Sequence, residues 1–144
     1  MEFVWLTAAD PKTADCYALR QAVFVEEQGF REEFDEVDQR CDHLLALADG
    51  IPVAAARLYR EGEDWHIGRI CVRRDRRGEG LGRLLLEEAE NRCCGKGGRR
   101  LVLGAQQRAE EFYTACGYRR CGPEYLDEGC PHVEMGKELG EGRQ

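Results

Sequence analysis

No apolar run in this chain approaches the roughly 18 to 20 uninterrupted residues that a membrane-spanning helix needs. The N-terminus, Met1-Glu-Phe-Val-Trp-Leu-Thr7, also lacks the basic start and cleavage site of a signal peptide. These absences predict a cytoplasmic protein with no membrane partner. An excess of positive charge is missing too. The formal net charge is -7 and the pI near 5.1, which argues against non-specific nucleic-acid binding, because phosphates demand a basic face. There are eight cysteines but no Cys-x2-Cys pair. The nearest approaches are Cys93-Cys94 and Cys116-x4-Cys121, with no His-x3-His companion, so the spacing predicts no metal site. Without a secretory signal, and with ample core-forming residues, the thiols are expected to be reduced.

What is present suits one domain. The 144 residues are 42% hydrophobic and 34% charged, enough to enclose a core. The expected domain covers 1–139, with a disordered tail at 140–144. Charge is segregated along the chain. Glu26 to Asp38 holds seven acids against Arg31, whereas Arg69 to Arg83 holds six arginines against Asp75 and Glu79. The first stretch suits cations and the second anions.

Phe3 to Thr7 reads as a strand ending before Asp10-Pro11. A helix follows, capped by Asp10 or Thr13, with Tyr17, Ala18, Val23 and Phe24 as its buried stripe and Leu19 and Val25 widening it. The acidic segment reads as a loop with a short helical turn. His43 to Ala48 and Ile51 to Tyr59 flank Asp49-Gly50, a strong hairpin signal. Trp65 to Val72 is the next strand. Leu81, Leu84, Leu85, Glu88, Ala89 and Arg92 predict a helix from about Gly80 to Cys94. Leu101 to Gly104 suits a buried parallel strand, and Ala109 to Cys116 a helix stopped by Gly117. Tyr118 to Cys121 and His132 to Leu139 are expected as closing strands around a loop from Gly122 to Pro131. The order predicts a mixed α/β sheet with helices on its faces.

Arg77-Gly-Glu-Gly-Leu-Gly82 places three alternating glycines between a strand and a helix. Such a turn either cradles an anion on exposed amides or merely reverses the chain. A P-loop is excluded because no Gly-Lys-Ser/Thr follows. A dinucleotide fingerprint is excluded because its third glycine would fall at Arg83.

Arg77, Gly80 and Gly82, preceded by Val72, resemble the signature of the GNAT superfamily of acyltransferases. Ala109-Glu-Glu-Phe-Tyr-Thr-Ala-Cys-Gly-Tyr118 resembles a second pattern of that family. Arg20-Gln-Ala-Val-Phe-Val, Glu27-Gln28, Asp42-His43 and Pro131-His-Val-Glu-Met135 resemble its small bacterial ElaA-type branch, so the likeness covers nearly the whole chain. The resemblance implies the GNAT fold, a twisted mixed sheet of six to seven strands with about four helices. It also implies acetyl-coenzyme A as co-substrate. The pyrophosphate would lie on the amides of Arg77, Gly78, Glu79, Gly80, Leu81 and Gly82, with Arg83 beside them. The pantetheine arm would run along Ile70, Cys71 and Val72, and Ala109 and Tyr113 would complete the cofactor site. Tyr113 would protonate the leaving thiolate, a task within reach of a phenol.

The implied reaction is direct transfer of an acetyl group to a primary amine on a small molecule or peptide. The base that accepts the amine proton is open among His132, Glu134, His66 and His43, with His132 favoured for its place at a loop-to-strand boundary. Cys71 lies beside the pantetheine path, but direct transfer needs no cysteine nucleophile. The acidic segment either attracts a cationic amine or is a solvated loop. Many GNAT proteins form homodimers, and the sequence carries no interface signal of its own. Two other readings fit the same motifs: a non-catalytic coenzyme A-binding sensor or partner-binding module, and a synthase resembling those that make acyl-homoserine lactones.

Overall fold

The computed structural model describes residues 1–140. Apart from Gly140, the tail expected to be disordered lies outside them. The elements run β1 (Glu2–Leu6), α1 (Thr13–Arg20) continuing into a π-helical segment (Gln21–Glu27), a 3-10 turn (Glu36–Gln39), β2 (Asp42–Ala48), β3 (Ile51–Glu61) and β4 (Asp64–Val72). Then come α2 (Leu81–Gly95), β5 (Arg100–Gln106), α3 (Glu110–Ala115), β6 (Arg119–Asp127) and β7 (Cys130–Glu138). The order of strands and helices is the expected one. Among the described residues three α-helices form, where about four helices were implied, together with π-helical and 3-10 segments. The seven strands follow the sheet order β1-β2-β3-β4-β5-β7-β6, parallel at β4–β5 and antiparallel at β1–β2, β2–β3, β5–β7 and β6–β7. No described helix is long and apolar enough to cross a membrane.

The chain divides into two compact units, one of Met1–Tyr59 with Ile67–Ala89 and the other of Arg60–His66 with the residues from Glu90 onward. In the first unit, His43 to Leu47 and Val53 to Leu58 are buried on both strand faces, and Asp49 and Gly50 turn between them at φ 50° and 79°. Those two positive values make the tight hairpin turn that the Asp-Gly pair predicts. The core joins Leu6, Leu45, Leu47, Ala55 and Cys71 to Cys16, Leu19, Val23 and Phe24 of the helical segment.

Of the expected stripe, Leu19, Val23 and Phe24 are buried, and the inward face is rotated from the rest of it. Cys16, Leu19, Arg20, Val23 and Phe24 are buried, while Tyr17 is half-buried and Ala18 exposed. The observed stripe has strict i, i+3, i+4, i+7, i+8 spacing, and a charged residue sits inside it. Neither expected cap forms as such. Asp10 Oδ1 accepts the Lys12 amide at 2.9 Å, and the Thr13 hydroxyl donates to Thr7 O at 2.6 Å.

In the second unit, β6 and β7 form a long hairpin where a loop from Gly122 to Pro131 was expected. Glu128 and Gly129 make its two-residue turn at φ 48° and 80°. The two prolines sit within this hairpin. Pro123 lies in the irregular stretch between Arg120 and Glu124 on the edge strand, and Pro131 is the second residue of β7. These are places where a strand tolerates a missing N–H. Glu90, 1% exposed, accepts the Tyr118 hydroxyl at 2.9 Å and Lys137 Nζ at 3.2 Å. Lys137 also donates to Cys116 O at 2.9 Å, which anchors the end of α3 to β7.

Candidate functional site

In the first unit, β4 carries at Arg69 a non-glycine residue at φ 49°. A left-handed residue within a strand bends it without ending it, so the strand kinks just before Ile70, Cys71 and Val72, which still belong to β4. Cys71 is buried and its thiol is pushed up to about 12 by burial, which leaves no thiolate for nucleophilic attack at neutral pH. Beyond Val72 come a 3-10 turn at Arg74–Arg76 and the glycine segment. Gly78 and Gly80 both stand at φ 82°, with no atom within 4 Å of where a Cβ would project. The backbone there is open, and α2 begins at once with Leu81. Leu81 buries its side chain, so only its backbone faces the turn.

The arginines divide into two groups. Arg77 donates to Val72 O at 3.0 Å and pairs with Glu27 at 2.6 and 2.9 Å, tying the turn to β4 and to the π-helical segment. Arg73 pairs with Asp75 and Arg76 with Glu79. Arg74 and Arg83 are exposed and have no ion pair among the described residues. No acid stands in the first turn of α2, and Arg83 there opposes the positive end of the helix dipole. A bound anion would offset both.

In the second unit, Ala109 precedes α3 and Tyr113 lies within it, half-buried, its ring meeting Phe112 at 5.1 Å and Tyr118 at 6.3 Å edge-on. Burial pushes the phenol up to about 12, so it carries its proton at neutral pH. His132 is buried on β7, with Nδ1 2.8 Å from Cys130 O. A carbonyl only accepts, so Nδ1 holds the hydrogen and Nε2 holds the basic lone pair. Tyr125 stacks on that imidazole at 5.4 Å and 25°, and its hydroxyl lies where a Cβ on Gly104 would be. Gly104→Ala is therefore expected to unstack the phenol with little loss of stability, because a half-exposed side chain can swing away. NMR shifts of the His132 ring protons that match the wild type, and so show the ring current of Tyr125 retained, would contradict this.

His43 is buried and its imidazole is depressed by that burial. Its Nε2 lies 2.9 Å from Asp38 O and therefore donates, leaving Nδ1 without a hydrogen-bond partner. His66 is half-buried on β4.

The acidic segment is divided: Glu26, Glu32 and Glu36 are exposed, whereas Glu33, Asp35 and Asp38 are held by arginines. Arg20, 1% exposed, donates through Nε to Glu33 (2.9 Å) and through Nη1 and Nη2 to Asp38 (2.7 and 3.1 Å). Arg57 grips Asp35 with both terminal nitrogens (2.7 and 3.1 Å) and reaches Asp38 at 3.0 Å. Arg69 pairs with Glu33 at 3.0 Å and with Asp35 at 3.4 Å. The buried Glu33 and Asp38 and the exposed Asp35 thus meet three arginines. Burial alone would raise the Asp38 carboxyl, but the hydrogen bonds and charge of Arg20 outweigh it and hold Asp38 below the usual aspartate value. Asp35 is likewise lowered, with Arg57 outweighing burial. Glu33 goes the other way, since its burial exceeds the pull of Arg69 and Arg20.

Beside this network lies a cavity of about 450 Å³ lined by Tyr17, Phe34, Asp35, Asp38 and Gln39. Neither aromatic was singled out as a site residue from the sequence, although Phe34 interrupts the acidic run. Asp38, Cys41 and His43 bring ligand atoms within 4.8 Å of one another. The set does not suit a cation: two guanidiniums hold the Asp38 carboxylate, burial pushes the Cys41 thiol up to about 11, and His43 Nε2 donates to a carbonyl.

Three kinds of likeness bear on this geometry. The family model described as acetyltransferase (GNAT) domain matches residues 8–139, a span that includes parts of both units. The chain is 33% identical over 127 residues to the uncharacterized N-acetyltransferase YjcF of Bacillus subtilis (strain 168), covering 86% of this chain and 91% of that one. It is 33% identical over 128 residues to protein ElaA of Escherichia coli (strain K12), covering 84% of each. The crystal structure of Escherichia coli ElaA superposes with a TM-score of 0.85 over 95% of this chain and 99% of that one, at 28% identity. An aminoglycoside 6'-N-acetyltransferase complexed with coenzyme A shares the fold, with a TM-score of 0.79 at 16% identity over 97% and 98% of the two chains.

Proposed function

The chain belongs to the GNAT acetyltransferase family, in its ElaA-like branch, and from that premise we propose that it transfers an acetyl group from acetyl-coenzyme A to a primary amine by direct attack on the thioester. The observation that carries the reading is the open backbone at Gly78 and Gly80, both in left-handed conformation at the start of α2. Glycine there lets a phosphate approach amides that a side chain would screen. The unpaired Arg74 and Arg83 add charge of the right sign. The solved relative that holds coenzyme A on the same fold supports the choice of anion.

In this reading the amides of 77–82 bind the pyrophosphate, and Ile70 to Val72, the part of β4 that follows the kink at Arg69, receive the pantetheine arm. A neutral amine attacks the thioester carbonyl carbon and the carbon–sulfur bond breaks. His132, through Nε2, accepts the proton that the amine loses. Tyr113 donates a proton to the departing sulfur, for which a phenol with a pKa of about 12 is protonated in advance.

Two measurements test this. Free thiol should appear when the protein meets acetyl-coenzyme A and a panel of primary amines. Coenzyme A binding without turnover across a broad panel would favour the sensor reading. Tyr113→Phe should lower kcat roughly tenfold, since water is a poorer acid in its place, with coenzyme A affinity unchanged. An unaltered kcat would remove Tyr113 from the mechanism.

A further inference from the structure

We propose that the cavity walled by Tyr17, Phe34, Asp35, Asp38 and Gln39 is the acceptor pocket, and that it takes a primary amine with a single aromatic or apolar body rather than a polycation. The proposal rests on the acyl-transfer reading above, and it names the substrate class for that chemistry.

The walls are aromatic. Tyr17 and Phe34 meet edge-on at 5.8 Å and 87°, and Phe34 remains 47% exposed within a charged segment. Two rings lining one cavity, with a few polar groups beside them, are what a pocket for a small apolar ligand offers. The cavity's volume of about 450 Å³ suits an amine of one ring and a short chain.

The carboxylates beside it are saturated. A carboxylate offers about four lone-pair sites. Those of Asp38 accept Arg20 Nη1, Arg20 Nη2, Arg57 Nη1 and the Asp35 amide. Those of Asp35 accept Arg57 Nη1, Arg57 Nη2, Arg69 Nη2 and the Val37 amide. Arg20, Arg57 and Arg69 balance Glu33, Asp35 and Asp38 one for one. The two carboxylates in the wall therefore bring no surplus negative charge to draw a polyamine and few open acceptors for a polyhydroxylated sugar amine. It also leaves the amine free of a carboxylate that would keep it protonated, and acyl transfer needs the neutral form.

The same network joins the pocket to the reaction strand. Arg69 donates to the Glu33 carbonyl at 3.1 Å and pairs with Glu33 and Asp35. It stands at the kink immediately before Ile70. Residues 33–35 of the pocket wall are thereby fixed to the strand assigned to the pantetheine arm.

Calorimetric titration of 2-phenylethylamine, spermidine and kanamycin into the full chain with coenzyme A present tests the pocket. The phenyl amine should bind at least about tenfold more tightly than either polycation, with little dependence on salt. Phe34→Ala should weaken it about tenfold with coenzyme A affinity unchanged, and Phe34→Leu, which restores an apolar wall, should recover much of the loss. Tighter binding of spermidine or kanamycin, no binding of the phenyl amine, or no effect of Phe34→Ala would overturn the proposal. Phe34-dependent binding without thiol release would instead defeat the acyl-transfer reading and leave the pocket standing.

Discussion

Gly80→Val is expected to weaken coenzyme A binding by at least about 100-fold while lowering Tm by only a few degrees. The two effects have separate origins. A β-branched residue at φ 82° bears a backbone penalty of about 1–2 kcal/mol, roughly 3–6 °C for a chain of this size. No atom lies within 4 Å of the added Cβ, so the folded protein itself meets no clash. The affinity loss comes from methyl groups standing where a phosphate must approach the amides. Gly50→Val supplies the control, because Gly50 has φ 79° and equally open surroundings in the β2–β3 turn. It should show a similar Tm loss and unchanged affinity by calorimetry. Equal affinity in the wild type and Gly80→Val would remove the turn from the site.

Arg20→Ala should destabilise the protein by about 3 kcal/mol, the lower end of what breaking a buried ion pair costs, which is roughly 10 °C in Tm. Asp38 would keep Arg57 and Glu33 would keep Arg69, so the loss stays below the upper end. Arg20→Lys should recover only part of it. Arginine places four N–H bonds on Glu33 and Asp38 from one rigid plane, and an ammonium cannot match that geometry. A thermal melt within about 1 °C of the wild type would show that the network contributes little.

The acids of this network make stability pH-dependent in two senses. Asp35 and Asp38 have folded-state values below the ordinary 3.8, so the unfolded chain binds protons first as pH falls. Their contribution is fully present above about pH 4 and lost as pH drops through the folded values. Glu33, raised by burial above 4.5, has the opposite sign. Its contribution is present below 4.5 and lost as pH rises through its folded value. Urea midpoints should therefore fall steeply below about pH 4, and Arg20→Ala should flatten that acid limb.

Legibility in the sequence was uneven, and two buried charges explain much of the unevenness. Along α1 and its continuation the true stripe is Cys16, Leu19, Arg20, Val23 and Phe24. Along α2, Leu81, Leu85, Leu86, Ala89, Glu90 and Cys93 are the buried positions, while Leu84 is exposed. In both helices a charged residue belongs to the inward face, so a reading that follows hydrophobicity slides to a neighbouring face. Arg20 is admitted to the core by Glu33 and Asp38, and Glu90 by Tyr118 and Lys137. None of these partners is within a helical turn of the residue it satisfies. Pro123 and Pro131 misdirect in the same way, because their tolerance depends on an edge strand and a strand start that only the sheet order reveals.

The sequence by itself determined the order of elements, the Asp49-Gly50 hairpin, the glycine turn and the family, because each is written in neighbouring residues whose backbone preferences are local. Tertiary structure alone decided that Glu33, Asp35 and Asp38 of the acidic run are held by Arg20, Arg57 and Arg69, and that Tyr17 and Phe34 wall a cavity. Pairings between residues far apart in the chain, 36 positions for Arg69 and Glu33, depend on where the fold carries each side chain. Charge counted along the chain cannot distinguish a solvated carboxylate from one already held by a guanidinium.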